Sequence, residues 1–319
     1  MKTPAPALNE FALIARLTRN LPTSASTVIG PGDDCAVLDF GLPDRWLLFK
    51  TDAVVEGVHF HKSAAPERIG HKALGRCLSD VAAMAGTPTH AVVTLALPTG
   101  FDLAFVEGLY AGLRALAARH HVALVGGETT TDPEHIWLSV AVLGTVVPGK
   151  CPLRSGAKAG DALFVTGELG GSLAGKHLDF QPRLVEARWL VRHCPIHAMI
   201  DLSDGLAGDL RHVLSASAVG AELRAESVPI SRTARHAART SPTPKPPLVA
   251  ALTDGEDYEL LFTVASRDAV RLLDAWKRTF AGLKLTCIGK ITATPGLTLI
   301  DKKGRRSLTA DGYVHFQKS

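Results

Sequence analysis

The chain lacks a paired-cysteine framework, an apolar run of membrane length and a sustained block of one charge. Its five cysteines (35, 77, 151, 194 and 287) are scattered and form no CxxC. That argues against a disulfide scaffold or a zinc ribbon and for free, mostly core-filling thiols in a reducing compartment. The longest apolar stretch, "IWLSVAVLGTVV", falls well short of the ~20 residues needed to cross a bilayer, and "MKTPAPALNE" contains no apolar signal core. A cytoplasmic protein without a membrane partner is expected. Net charge is only +4, and the one basic cluster, "DKKGRR" (Asp301–Arg306), reads as a solvated turn, so no nucleic-acid partner is expected. No internal repeat is visible.

What is present describes an ordinary globular protein. The 319 residues are 46% hydrophobic and 21% charged, enough chain for two domains. A helix is expected in "NEFALIARLTRN", where Phe11, Leu13, Ile14 and Leu17 recur at helical spacing after the cap candidate Asn9. Another spans "RIGHKALGRCLSDVAAMAG" and ends on Gly86 as its C-cap glycine. Strands alternate with these helices, in "RWLLFKTDAVV", "HAVVTLALP", "VALVGG" and "HIWLSVAVLGTVV", so mixed α/β architecture is expected. Glycine, proline and lysine thicken at "PGKCPLRSGAKAGD", which places a domain boundary between residues 1–149 and 150–319. Four prolines between Pro242 and Pro247 mark an exposed loop.

Carboxylates gather where elements meet. "AMIDLSDGLAGDL" puts Asp201, Asp204 and Asp209 between a strand and a helix, and Asp33 and Asp34 follow a glycine–proline turn in "GPGDDCAVL". "FKTDAVVEGVHFH" ends a strand with Thr51 and Asp52; Asp80 lies on the broad helix; "VGGETTT" carries Glu128; and "LTDGEDYELLFT" adds Asp254, Glu256, Asp257 and Glu259. Taken singly, each has a plainer explanation. Ser203 or Asp204 could cap a helix starting near Gly205, Asp33 and Asp34 could form a turn, and Asp80 could pair with Arg76. Together they form an oxygen-rich set with no cysteine or histidine cluster, which suits Mg2+ and not zinc. "HFH" puts two imidazoles on one strand face without a third ligand. "GGSLAGKH" matches GxxxxGK, but His177 stands where a phosphate loop needs a hydroxyl, and little room for a helix remains before Pro182.

In order, "GPGDDCAVL", "TDAVVEGVHF", "HKALGRCLSDVAAMAGTPTHAVVTLALP", "GGETTT", "LRSGAKAGDALFVTG", "MIDLSDGLAGDL" and "TDGEDYELLFT" resemble the thiamine-monophosphate kinases, over nearly the whole chain. The resemblance implies the two-domain, mixed-sheet α/β fold of the aminoimidazole-ribonucleotide synthetase-like proteins, with N-terminal strands pairing across a homodimer. It also implies transfer of the γ-phosphoryl group of ATP to thiamine monophosphate, assisted by several Mg2+ ions. Carried over by motif, Asp34, Thr51, Asp52, Asp80, Glu128, Asp201 and Asp204 are expected to ligate magnesium. Gly127, Glu128, Arg154 and Ser203 are expected at the nucleotide, and His59, Glu256 and Tyr313 at thiamine.

Two positions depart from that pattern. Glu128 stands where aspartate is common, one methylene longer. Lys50 stands where a small hydroxyl residue can be a ligand, so that only its carbonyl could serve. No catalytic base is assigned, because the acceptor phosphate, with a second pKa of about 6, is already ionised. Asp209 is expected at the surface or in a helix pairing. Rival readings are another ATP-using member of the superfamily, acting on an amide, selenide or carbamoyl group, and a nucleotide-binding regulator without turnover.

Overall fold

A computed structural model describes residues 10–309. The first half runs α1 (Glu10–Thr18), β1 (Thr27–Ile29), β2 (Ala36–Leu38), β3 (Trp46–Val55), α2 (Pro66–Ala83), β4 (Thr87–Leu97), α3 (Leu103–Arg119), β5 (Ala123–Thr131) and β6 (Trp137–Val146). Its six strands form one sheet in the order β1-β2-β3-β6-β4-β5, antiparallel except for the β4–β5 pair. The second half runs β7 (Ala162–Thr166), α4 (Lys176–Asp179), α5 (Leu184–His193), β8 (Ile196–Asp201), α6 (Leu206–Ser217), β9 (Gly220–Arg224), α7 (Arg232–Thr240) and α8 (Pro247–Thr253). β10 (Leu260–Val264), α9 (Ala269–Thr279), β11 (Leu285–Thr292), β12 (Gly296–Asp301) and β13 (Gly304–Ser307) complete it. These seven strands make the second sheet, β13-β12-β9-β11-β7-β10-β8, in which only β12–β9 is parallel. The expected mixed-sheet α/β architecture is present. Among the described residues no helix is long and apolar enough to cross a membrane, and all five cysteines are free thiols.

β3 is longer than its sequence suggests. Pairing with β6 continues through Val55 opposite Trp137, so Thr51 and Asp52 are mid-strand and do not end it. Neighbours in a strand face opposite ways. Lys50 and Asp52 therefore point to one side of the sheet and Thr51 to the other. Phe49, Thr51, Val92 and Leu143 share an exposed face without helical cover. "VALVGG" and "GGETTT" are likewise one strand, β5.

α2 is the centre of the molecule. It packs on β3 and β6 of the first sheet and on α5 and β8 of the second, and Leu74, Leu78 and Val81 are fully buried in the core that joins them. Proline at its first turn needs no donor there. Its C-terminus differs from the expectation. The left-handed residue is Ala85 (φ 54°), while Gly86 follows it and donates to the Val81 carbonyl at 2.8 Å. Glycine is needed at 86 for space, since a Cβ there would lie 2.3 Å from Leu48 Cδ1.

α2 and α3 approach each other through glycines. A Cβ on Gly112 would come within 1.8 Å of the Glu67 carbonyl oxygen, and one on Gly70 within 1.9 Å of the Leu109 carbonyl oxygen. Backbone cannot yield as a flexible side chain can. Gly112→Ala is therefore expected to cost about 2–3 kcal/mol, read as a lower urea midpoint at unchanged slope. An unchanged midpoint would show that the helices part freely.

Candidate functional site

The junction between the sheets collects charge. Asp34 follows the turn before β2, Asp80 lies in the last turn of α2 and Asp201 ends β8. Ligand atoms of all three lie within 4.8 Å of one another, and the three residues are 2%, 7% and 3% exposed. Each has a partner. Arg154 donates to Asp34 Oδ1 through Nε at 3.2 Å and a terminal nitrogen at 2.5 Å, and Ser79 Oγ donates to Asp201 Oδ2 at 2.5 Å. Lys50 Nζ stands 3.1 Å from Asp80 Oδ1 and 3.7 Å from Asp52 Oδ1. Asp34 Oδ2 is buried with no hydrogen-bond partner.

This arrangement is short of positive charge. Burial, then the charge of Asp34, pushes the Asp201 carboxyl up to about 7. Burial raises Asp80 well above the usual range, with Asp52, Asp201 and Asp34 adding to it against the pull of Lys50. Burial opposes the charge on Lys50 too, but Asp80 and Asp52 outweigh it and hold the ammonium protonated. An all-oxygen donor set with one buried oxygen unpartnered is what a hard divalent cation needs. The residues fit magnesium.

A second group lies along the same helix. Lys72, fully buried, donates to the His59 carbonyl at 2.6 Å and to Glu256 Oε2 at 2.7 Å, and stands 2.8 Å from His177 Nδ1. His177 Nδ1 is also 2.8 Å from Glu256 Oε2. Burial lowers Lys72 to about 8, and although burial also opposes the charge on Glu256, His177 and Lys72 bring its carboxyl down to about 2. Val55 N–H donates to His59 Nδ1 at 3.1 Å, which leaves Nε2 carrying the ring proton. Glu256 and Tyr258 both have positive φ (54° and 51°), a local strain of about 1 kcal/mol or more each. They border a cavity of about 130 Å³ with Val58, His59, Arg76 and Ser203. A larger hollow of about 650 Å³, bordered by Thr87, Val146 and Arg188, contains none of the expected site residues.

Arg76 connects the two groups. It does not pair with Asp80 as spacing suggested; its guanidinium donates to the Ala53 carbonyl at 2.8 Å. From there its charge acts on Tyr258, Asp52, Glu256 and Asp80 together.

The expected site residues thus divide. Asp34, Asp52, Asp80 and Asp201 converge with Arg154, while His59, Glu256 and Ser203 share the cavity. Asp204 borders that cavity too, but its ligand atom groups with Asp209 and His212 and not with the first cluster. Thr51, whose hydroxyl is 3.2 Å from Ser139 Oγ, and Glu128 lie on the open face of the first sheet. Glu128 is three strands from β3, about 14 Å. Gly127 must be glycine, since a Cβ would lie 1.8 Å from the Val93 carbonyl oxygen. Tyr313 lies outside the described residues.

Several expectations need correction. Asp209 is not at the surface. It is 1% exposed, and its Oδ2 accepts the N–H groups of Asp204 and Gly205, both at 3.1 Å. Those donors face inward at the start of α6, so an acceptor from the first turn caps them, and neither Ser203 nor Asp204 does. His59 and His61 are in a loop after β3, with His61 exposed, and not on a strand face. The N–H groups of Gly170 and Gly171 in "GGSLAGKH" are taken by Asp257 and Asp254, so neither is open to a phosphate. Sequence reasoning missed Lys72. Its signal was the four-residue spacing of the charges at 68, 72, 76 and 80 along one face of the helix.

Comparison with known proteins gives the family. The family models described as AIR synthase related protein, N-terminal domain and C-terminal domain, match residues 32–146 and 158–302. The chain is 41% identical to the thiamine-monophosphate kinase of Rhodopirellula baltica over 90% of both chains. It is 36% identical to that of Escherichia coli strain K12, over 97% of this chain and 99% of the relative. Among solved structures, AaThiL complexed with AMPPCP and TMP superposes with a TM-score of 0.84 at 30% identity, over 99% of this chain and all of that one.

Proposed function

The chain belongs to the thiamine-monophosphate kinases, within the AIR synthase related family, and from that footing we propose that it moves the terminal phosphoryl group of ATP onto the phosphate of thiamine monophosphate. The products are ADP and thiamine diphosphate. The observation that supports this most is the convergence of Asp34, Asp80 and Asp201 beside a cavity bordered by His59 and Glu256.

Both reactants are anions. Two unit charges about 4 Å apart repel by about 4 kcal/mol at an effective dielectric near 20. Magnesium ions, when bound, would supply the positive charge that offsets that repulsion. Asp34, Asp52, Asp80 and Asp201 are the residues to hold them, with Asp204 from the neighbouring group. Arg154, Ser203 and Gly127 contact the nucleotide. His59 and Glu256 hold thiamine, whose thiazolium cation suits the ionised Glu256, and Lys72 and His177 fix that carboxylate in place. In one in-line step a phosphate oxygen of thiamine monophosphate bonds to the γ-phosphorus, and the bond to the bridging oxygen breaks. The acceptor is already an anion at neutral pH, so no side chain removes a proton and none becomes phosphorylated.

The residues 1–149 and 150–319 act in this reading as two domains. Two copies pair over the open face that carries Phe49, Val92, Val125 and Leu143, whose exposure (38–59%) is high for a finished sheet. Thr51 and Glu128 share that face, and any role for them in cation binding depends on its being covered.

An ADP-release assay under Mg2+, with thiamine monophosphate, thiamine and aminoimidazole precursors offered separately, tests the reaction. Thiamine monophosphate alone should support turnover; release with free thiamine alone would overturn the assignment. Glu256→Gln, which keeps shape but removes the charge, should raise KM for thiamine monophosphate about tenfold, about 1.4 kcal/mol of binding, with a smaller change in kcat. An unchanged KM would remove Glu256 from the substrate site.

A further inference from the structure

Lys50 stands inside the carboxylate cage, not beside it. It shares a face of β3 with Asp52, and Asp80 reaches across from α2, so that the ammonium lies 3.7 Å and 3.1 Å from their oxygens. The three side chains are 22%, 19% and 10% exposed, which withholds most of the water that would otherwise compensate the charges. Its ion pairs are with Asp52 and Asp80, and the rest of the cage has other direct partners. Asp34 Oδ1 is met by Arg154, Asp201 Oδ2 by Ser79, and Asp34 Oδ2 is buried and unpartnered. The cage therefore has one end filled by an ammonium and one end where Arg154 meets a single oxygen of Asp34 and leaves the other unpartnered.

We propose that Lys50 is a tethered cation occupying the Asp52–Asp80 end, so that the protein takes up one divalent ion fewer than it would with a neutral residue at 50. A lysine offers no lone pair when charged, so it excludes a metal ion from this end and does not ligate one. Cation and ammonium would share the Asp80 carboxylate, and like charges at that separation repel. The divalent ion is left the Asp34–Asp80–Asp201 end, where the unpartnered oxygen lies. The inference rests on the magnesium-dependent reading above.

Counting Mn2+ bound per chain by electron paramagnetic resonance, on nucleotide-free protein, tests it without reference to turnover. Lys50→Met keeps the length without the charge, Lys50→Ser opens the space, and Lys50→Arg keeps the charge. The Met and Ser variants should each bind one more Mn2+ than the parent, and the Met variant should bind its first ion about tenfold tighter. The Arg variant should match the parent. An unchanged count in either neutral variant, its fold verified by near-ultraviolet circular dichroism, overturns the proposal and leaves the kinase reading standing. No Mn2+ bound by any of the four proteins overturns this proposal and the cation-holding role of the cage together.

Discussion

Asp80→Asn should lower turnover about a thousandfold while the protein melts no earlier than the parent. The two halves of this expectation have one cause. Asp80 is a buried carboxylate crowded by Asp34 and Asp201 within 4.8 Å, and burial together with that crowding penalises its charge against the pull of Lys50. An amide of the same shape is neutral already, so folding loses one partner of Lys50 and sheds a larger repulsion. Catalysis loses the central oxygen donor shared by both ends of the cage. A factor of ~10³ corresponds to about 4 kcal/mol of transition-state stabilisation, within the range for removing one preorganised electrostatic group. The ADP-release assay and a thermal melt measure both halves. Turnover near the parent's would take Asp80 out of the cation-binding set; a lower melting temperature would show that its charge supports the fold.

Glu259→Ala should destabilise the protein by about 3–5 kcal/mol, the cost typical of leaving buried charges unpaired. Glu259 is 1% exposed and ties three elements together. It accepts from Arg183 through two bonds of 2.7 Å, from Lys176 at 3.0 Å and from Thr166 Oγ1 at 2.8 Å. Burial opposes its charge, yet Lys176 and Arg183 prevail and hold its pKa below the ordinary 4.5. A carboxyl that ionises more readily in the fold than in the unfolded chain binds fewer protons when folded. Its contribution is complete above about 4.5 and disappears as pH falls through the lowered folded value. Urea midpoints across an acid series should therefore fall with pH in the parent and flatten over that range in Glu259→Gln. A flat parent curve would show that the network adds nothing.

Much of this was legible in the sequence, for reasons that differ by residue. The mixed α/β class followed from alternating periodicities. Asp34 and Asp201 stood out as carboxylates at a turn and a strand end and Asp80 as an acid on a broad helix, and the resemblance then joined them into one set. What was missed depended on direction or distance. Thr51 and Asp52 could be assigned to opposite sides only once β3 was known to continue to Val55. Asp209 looked solvated because nothing local reveals that two amides at the start of α6 face inward. Lys72 meets Glu256, 184 residues away, and no pattern within α2 names that partner.

Lys72 and Asp80 are mounted on one unbroken rod, two turns or about 12 Å apart along its axis. In the proposed reaction the grip on the acceptor molecule and the seat of the donor's charge thus share a single mount. However the two halves flex, the gauge between those stations stays constant, because it is cut in helical rise and not in a hinge.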